Sequence, residues 1–150
     1  MSGARIIPPG GRIGILGGGQ LGRMAALAAG ALGYRCHIFS PEPDSPAAQV
    51  SAAATVAAYD DADALAAFAA SVDVVTFEFE NIPHESVALL EARVPVRPGW
   101  NALRVSQDRL VEKDFLRGIG VPTADYAGVA GPQELAAALD RLGRPAILKT

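Results

Sequence analysis

Short apolar runs alternate with longer stretches of helical periodicity along the first two thirds of the chain. Short runs rich in Val, Ile and Phe predict buried strands, whereas apolar residues three and four apart predict one buried helix face. The pattern predicts strands at 12–16, 34–39, 54–57 and 72–79, and helices at 20–32, from Asp61 or Asp63 to Ala70, and at 85–93. Strands that alternate with helices are typical of a Rossmann-like α/β fold around a parallel sheet.

The first predicted helix, 20–32, follows the first strand directly, and Gly33 is expected to end it. Several of its apolar residues lie three and four positions apart, which predicts that they form the face packed on the sheet. That predicted stripe consists of Leu21, Met24, Ala25, Ala28 and Leu32.

A break rich in proline and glycine, at 95–99, interrupts the alternation of strands and helices. We therefore predict a first domain at 1–98 and a second segment at 99–150. In the second segment we expect helices at 108–119 and 132–142 and a short strand at 146–149. The residues expected to share one face of the helix at 108–119 are Val111, Phe115 and Ile119.

Composition excludes several classes of function. The formal net charge is −3 and basic residues are scattered singly, so there is no basic stripe to neutralise a nucleic-acid backbone. No apolar run is long enough to cross a bilayer, and we expect a soluble chain. The single cysteine, Cys36, cannot form an internal disulfide, which fits a reducing cytoplasm. His37 and His84 are isolated, and we expect neither to be catalytic or a ligand.

The turn between the first strand and the first helix carries candidate chemistry. Gly17, Gly19 and Gly22 stand in G-x-G-x-x-G spacing. This spacing permits positive φ, brings backbone N–H groups close to an anion and seats the helix on the strand. The first helical turn adds N–H donors and a partial positive charge. The pattern predicts a phosphate-binding turn, although the same glycines could serve packing alone.

A nicotinamide dinucleotide site would also need an acidic residue at the end of the second strand, about twenty residues past the glycines, to bind the ribose hydroxyls. Glu42 lies near that distance. However, Pro41 and Pro43 flank it in a segment that we predict to be an irregular loop. An NAD-binding oxidoreductase is therefore our second interpretation.

Two carboxylates, Glu78 and Glu80, stand at the end of the fourth predicted strand. Side chains two residues apart on a strand point to the same side, so we expect these two to be neighbours on one face. In an open parallel sheet, ligands bind beyond the carboxyl ends of the strands. The pair is expected to suit a ligand with hydroxyl or amino donors; the alternative is a pair of solvated acids.

Five segments, taken in order, resemble the 5-(carboxyamino)imidazole ribonucleotide synthase family, the ATP-grasp carboxylases of bacterial and fungal purine synthesis. They are GGGQLGRM at 17–24, TFEFENIP at 76–83, QDRLVEK at 107–113, PT at 122–123 and AILKT at 146–150. The resemblance implies a Rossmann-like pre-ATP-grasp domain followed by the beginning of an ATP-grasp domain. It also implies that Thr150 ends a fragment, since family members continue into a large ATP-grasp domain.

The activity implied by this resemblance is the ATP-dependent carboxylation of 5-aminoimidazole ribonucleotide with bicarbonate, through carboxyphosphate. Arg109 and Lys149 would contact the ATP phosphates, whose oxygens suit a guanidinium and an ammonium group. The ribonucleotide would lie across the glycine turn and the acids of the fourth strand. Its implied contacts are Gln20, Leu21, Glu78 and Glu80.

The resemblance further implies Mg²⁺, which would neutralise the transferred phosphoryl group. Its ligands and the catalytic residues are expected beyond residue 150, so we expect this chain alone to be inactive and to hold no metal. The family also implies a homodimer in the cytoplasm.

Alternatives from other classes remain open at this point. Another ATP-grasp ligase, such as the formate-dependent glycinamide ribonucleotide transformylase, would be expected to carry an acid in place of Gln20. An oxidoreductase would be identified by binding NADH. A binding module without chemistry would form no nucleotide-dependent product at full length.

Overall fold

The computed structural model describes residues 6–149, which form two compact units that divide between Arg104 and Val105. Thr150, the last residue of the AILKT segment, lies outside the described residues. The first unit is an α/β fold with a parallel sheet, so the predicted fold class is confirmed. The assignment of separate domains to 1–98 and 99–150 stays a prediction.

The sheet of the first unit has four strands, all parallel, in the order β3-β2-β1-β4. The strands are β1 (Arg12–Leu16), β2 (Arg35–Ser40), β3 (Ala53–Val56) and β4 (Val74–Phe77). In register, Ile15 of β1 lies opposite Ile38 of β2 and Thr76 of β4. This order places the end of β4 directly beside the end of β1, where the glycine turn begins.

The helices connect these strands and continue into the second unit. They are α1 (Gln20–Ala31), α2 (Ala62–Ala70), α3 (His84–Glu91), α4 (Trp100–Gln107), α5 (Arg109–Gly118) and α6 (Pro132–Leu142), with a 3-10 turn at Ala48–Val50. The sequence pattern did not predict α4 or the 3-10 turn. No helix in the described part of the chain is both long and apolar enough to cross a membrane.

Alternate side chains of the central strands pack into two separate apolar clusters. Leu16 and Phe39 join Leu65 and Phe68 of α2 in the larger cluster. Ile15 and Ile38, the neighbouring residues on the same strands, join Ala26 of α1 in the smaller one. Because successive strand residues point to opposite faces, the sheet is covered by α1 on one face and by α2 on the other.

The buried face of α1 differs from the predicted one. Leu21 and Met24 are 62% and 64% exposed, and Leu32 is exposed just beyond the helix. Ala25 and Ala28 are exposed as well. The buried residues of this helix are instead Gly22 and Ala26. A Cβ added at Gly22 would lie 2.8 Å from the carbonyl oxygen of Gly17, so the helix approaches the turn too closely for large side chains on this face.

The second unit contains α5 and α6 but no strand within residues 105–149. The strand predicted at 146–149 is therefore wrong, and Ile147 in that segment is 86% exposed. A strand is stabilised by pairing with a neighbour, and none of the described residues of this unit supplies one. Phe115 and Ile119, predicted to share a helix face, remain largely exposed.

Candidate functional site

The glycine turn joins the end of β1 to the start of α1. Gly17 has φ +122°, a conformation that L side chains rarely adopt, and its N–H donates to the carbonyl of Phe39 at 3.0 Å. Gly19 is the N-cap of α1 and has no side chain with which to cap the helix. The N–H groups of the first helical turn lack partners within the helix, so the turn presents a set of donors to an anion.

The carboxylate of Glu78 occupies this donor set. The N–H of Gly19 donates to Glu78 Oε1 at 2.8 Å, and the N–H of Gly22 donates to Glu78 Oε2. The side chain is half-buried. A carboxylate at a helix N-terminus is stabilised by the partial positive charge there and by charge-assisted hydrogen bonds. An internal acid thus takes the position that a phosphate takes in dinucleotide-binding turns.

All three glycines of the motif contact this one side chain. A Cβ added at Gly17 would lie 2.5 Å from Glu78 Oε1, and one added at Gly19 would lie 3.1 Å from the same atom. A Cβ at Gly22 would lie 3.0 Å from Glu78 Oε2. The G-x-G-x-x-G spacing is therefore accounted for by the close approach of an internal carboxylate.

The position of Glu78 relative to β4 differs from the prediction. The strand expected over 72–79 ends at Phe77, so neither Glu78 nor Glu80 lies on a strand and the argument from a shared strand face is wrong. The Glu78 N–H still donates to the carbonyl of Leu16 at 3.3 Å, which fixes its backbone beside β1. Glu80 lies further along the loop and is exposed.

Gln20 and Leu21, the other predicted substrate contacts, are the first two residues of α1 and are exposed. They lie between Gly19 and Gly22, whose N–H groups hold the Glu78 carboxylate. The structure therefore brings Gln20, Leu21 and Glu78 together at one turn. Their role as substrate contacts stays a prediction, as does that of Glu80.

The loop after β2 adds residues that the sequence analysis did not single out. A Cβ added at Gly18 would lie 2.5 Å from Ser45 Oγ and 2.7 Å from Ser40 Oγ, and both serines are buried. Among the described residues, Ser45 Oγ is a buried side-chain oxygen without a hydrogen-bond partner. The Ala47 N–H donates to the Gly18 carbonyl at 2.9 Å. The serines flank a proline-rich segment, and that composition gives no indication that it packs on the turn.

The predicted ATP contacts, Arg109 and Lys149, both belong to the second unit. Arg109 is the first residue of α5, whose N-cap Asp108 accepts hydrogen bonds from the next helical N–H groups. Its side chain is 64% exposed, and Nη1 lies 2.6 Å from Glu112 Oε2. Lys149 is exposed and lies outside any helix or strand. Both cations are accessible, and their contact with ATP stays a prediction.

The two histidines and the cysteine all lie in the first unit. His37 Nδ1 lies 2.8 Å from Ser71 Oγ and Nε2 lies 2.9 Å from Thr55 Oγ1. Burial, and secondarily the charge of Arg12, lowers the pKa of His37. Burial raises the pKa of the Cys36 thiol. No group of three or more His, Cys, Asp or Glu side chains within residues 6–149 could hold a metal ion.

Comparison with known proteins gives one consistent result. The ribonucleotide synthetase preATP-grasp domain family matches residues 11–107. The N5-carboxyaminoimidazole ribonucleotide synthase of Brucella melitensis is 49% identical over 143 residues, which are 95% of this chain and 40% of that protein. The chain therefore spans about two fifths of the length of this relative.

Solved structures agree with the sequence comparison. The ADP complex of an N5-carboxyaminoimidazole ribonucleotide synthetase is 43% identical and superposes with a TM-score of 0.88 over 97% of this chain and 38% of that one. The Aspergillus clavatus enzyme, in complex with ADP and 5-aminoimidazole ribonucleotide, is 31% identical with a TM-score of 0.80, over 91% of this chain and 37% of that one.

Proposed function

The chain belongs to the ribonucleotide synthetase preATP-grasp domain family, and from this membership we propose that it is the N-terminal part of an N5-carboxyaminoimidazole ribonucleotide synthase. The full-length protein would carboxylate 5-aminoimidazole ribonucleotide with bicarbonate and ATP, through carboxyphosphate. The observation that carries the proposal is the similarity to such enzymes over 95% or more of this chain. Neither the transformylase nor the oxidoreductase is favoured by these relatives.

We propose that the ribonucleotide meets the glycine turn through Gln20, Leu21, Glu78 and Glu80. A carboxylate has about four acceptor positions, and the N–H groups of Gly19 and Gly22 use two of those of Glu78. The remaining positions can accept from a hydroxyl or amino group of the substrate. Gln20 stands exposed at the start of α1 and offers both an amide donor and an amide acceptor.

For ATP, we propose phosphate contacts at Arg109 and Lys149. An exposed guanidinium and an exposed ammonium suit phosphate oxygens, and similar structures are ADP complexes. Arg109 would exchange its exposed pairing with Glu112 for the nucleotide. No group of three or more His, Cys, Asp or Glu side chains among the described residues could hold a metal ion, and we propose that the Mg²⁺ ligands lie outside them.

We further propose a homodimer in the cytoplasm as the working form of the full-length enzyme. The single cysteine is buried, which is compatible with a reducing compartment. Light scattering on the full-length protein tests the oligomeric state, and a monomer at working concentration would contradict the dimer.

The activity is tested by ADP release from the full-length protein that depends on both aminoimidazole ribonucleotide and bicarbonate. ADP release at the same rate with and without the ribonucleotide would contradict the proposal. Arg109→Ala and Lys149→Ala should each weaken ATP binding by about 10- to 150-fold, since a hydrogen bond to a charged group contributes about 1.5 to 3 kcal/mol. Arg141→Ala, an exposed arginine in the last turn of α6, is the matched control for calorimetric titration.

The substrate contact at Glu78 has a separate test. Glu78→Gln keeps the size of the side chain but removes its charge, so the Michaelis constant for the ribonucleotide should rise while that for ATP changes little. Glu85→Gln removes an exposed carboxylate from α3 and serves as the control. If the Michaelis constant for the ribonucleotide were the same in the Glu78 variant and the control, Glu78 would not be a substrate contact.

A further inference from the structure

We propose that Glu78 is an internal anion that closes the phosphate position of the glycine turn, so that the turn selects ligands by their hydrogen-bond donors and rejects phosphate. The inference concerns the turn itself and does not depend on the activity proposed above. It assigns Glu78 a specificity role that the glycine spacing alone does not suggest.

The N–H donors of the turn are already in use. The Gly19 N–H donates to one Glu78 oxygen at 2.8 Å, and the Gly22 N–H donates to the other. A phosphate entering here would have to displace a carboxylate that already forms charge-assisted bonds. If the carboxylate stayed, two negative charges would share one partly desolvated position, which is unfavourable.

The carboxylate of Glu78 is fixed in place. The backbone of Glu78 is tied to β1 by the bond from its N–H to the Leu16 carbonyl, and its side chain is half-buried. Gly17, Gly19 and Gly22 each lie so close to the carboxylate oxygens that a Cβ would crowd them. All three glycines are therefore fitted to this one side chain, and a turn that bound only an external anion would not need this fit.

With Glu78 in place, the turn can still bind hydrogen-bond donors. Glu78 retains acceptor positions that the two N–H groups do not use. Its charge attracts hydroxyl and amino donors and repels anions. The glycine turn therefore has the backbone of a dinucleotide-binding turn and the opposite preference for ligand charge.

The experiment uses the 150-residue chain, with inorganic pyrophosphate as the probe and the backbone amide resonances of Gly19 and Gly22 as the readout. In the wild type, pyrophosphate should leave both resonances unchanged. In Glu78→Ala, both resonances should shift when pyrophosphate is added. The Kd for pyrophosphate should be at least about tenfold lower than in the wild type. Glu42→Ala, which removes an exposed carboxylate from the proline-rich loop, should behave as the wild type.

A folded Glu78→Ala variant that gains no pyrophosphate binding would overturn the proposal. So would a wild-type chain that binds pyrophosphate as tightly as the variant. Glu78→Gln, which keeps the size of the side chain and removes its charge, is a second variant that should also bind the probe more tightly than the wild type. Unchanged binding in both folded variants would overturn the proposal.

Discussion

The two compact units use amphipathic helices in different ways. In the first unit, α2 and α3 lay their apolar residues on the sheet and bury Leu65, Phe68, Val87 and Leu90 almost completely. In the second unit, α5 and α6 have equally clear apolar faces, yet neither contains a buried residue. Periodicity therefore predicts which face of a helix is apolar. Burial also needs an opposing surface, which in the first unit is the sheet.

Two phenylalanines make this comparison quantitative. Phe68 on α2 is 1% exposed, and its ring contacts that of Phe39 with centroids 5.3 Å apart. Phe115 on α5 is 45% exposed. Both occupy helix faces of similar periodicity, so their difference lies in the surroundings and not in the local sequence.

The largest expected effect follows from truncating these two side chains. Phe68→Ala should lower the free energy of unfolding by about 3 to 5 kcal/mol, because it removes a buried ring and leaves a cavity. Phe115→Ala should cost less than about 1 kcal/mol, since much of its ring already contacts water. Urea unfolding followed by circular dichroism measures both. Equal losses for the two variants would show that the second unit has a core of its own.

Two glycines with positive φ give a second, smaller contrast. Gly17 in the first unit has φ +122°, and a Cβ there would lie 2.5 Å from Glu78 Oε1. Gly120 after α5 has φ +81° and open surroundings. Gly120→Ala should cost about 1 to 2 kcal/mol from backbone strain alone. Gly17→Ala should cost about 1 to 3 kcal/mol more, because the methyl group overlaps a packed side chain.

Thermal unfolding measures this pair, and Gly30→Ala on the exposed side of α1 is the control. That control should be neutral or slightly stabilising, since Ala favours helix over Gly. A Gly17 variant no less stable than the Gly120 variant would mean that Glu78 moves away from the turn at little cost. Such a result would also weaken the argument that the carboxylate is fixed there.

Much of the first unit could be predicted from its sequence because its local signals agree with its tertiary environment. The strand at 12–16 was predicted to the residue. Asp61 was one of two predicted caps for α2, and its carboxylate accepts from the Ala64 N–H at 2.9 Å. Pro132 correctly marked the start of α6 in the second unit. The five motif segments also identified the family that the comparisons confirm.

The predictions of the buried face of α1 and of the position of Glu78 were wrong because both depend on how closely backbone and side chains approach the turn. Hydrophobic periodicity carries no information on such distances. Leu21 and Met24 outrank Gly22 and Ala26 in apolar area, yet the smaller pair is the buried one. Ala26 packs on the strands, and Gly22 lies so close to the turn that a Cβ would meet the Gly17 carbonyl oxygen. Likewise, the residues around Glu78 resemble a strand end, while the carboxylate itself turns back to the glycines. That contact depends on β4 lying beside β1, and strand order cannot be read from periodicity.

The smallest expected effect compares a half-buried histidine in the first unit with a partly exposed tyrosine in the second. His37 lies on β2 and is hydrogen-bonded to Ser71 and Thr55, and its partial burial lowers its pKa from the ordinary value near 6.5. Tyr126 is partly exposed, and its hydrogen bond to Asp114 raises its pKa above the ordinary value near 10. Of these two side chains, His37 alone can therefore change charge between about pH 5.5 and 7.

Because the unfolded chain binds the His37 proton more readily than the folded chain, the contribution of His37 is fully present above about pH 6.5 and is lost as the pH falls below it. The slope cannot exceed that of one proton, about 1.4 kcal/mol per pH unit. Urea unfolding at pH 7 and pH 5.5 should show this loss in the wild type and a smaller one in His37→Gln. Tyr126→Phe should lose as much as the wild type, since tyrosine is neutral throughout. If the His37 variant also kept the full pH dependence, the loss would arise from other groups, and the half-buried imidazole would have to be protonated as easily in the folded chain as in the unfolded one.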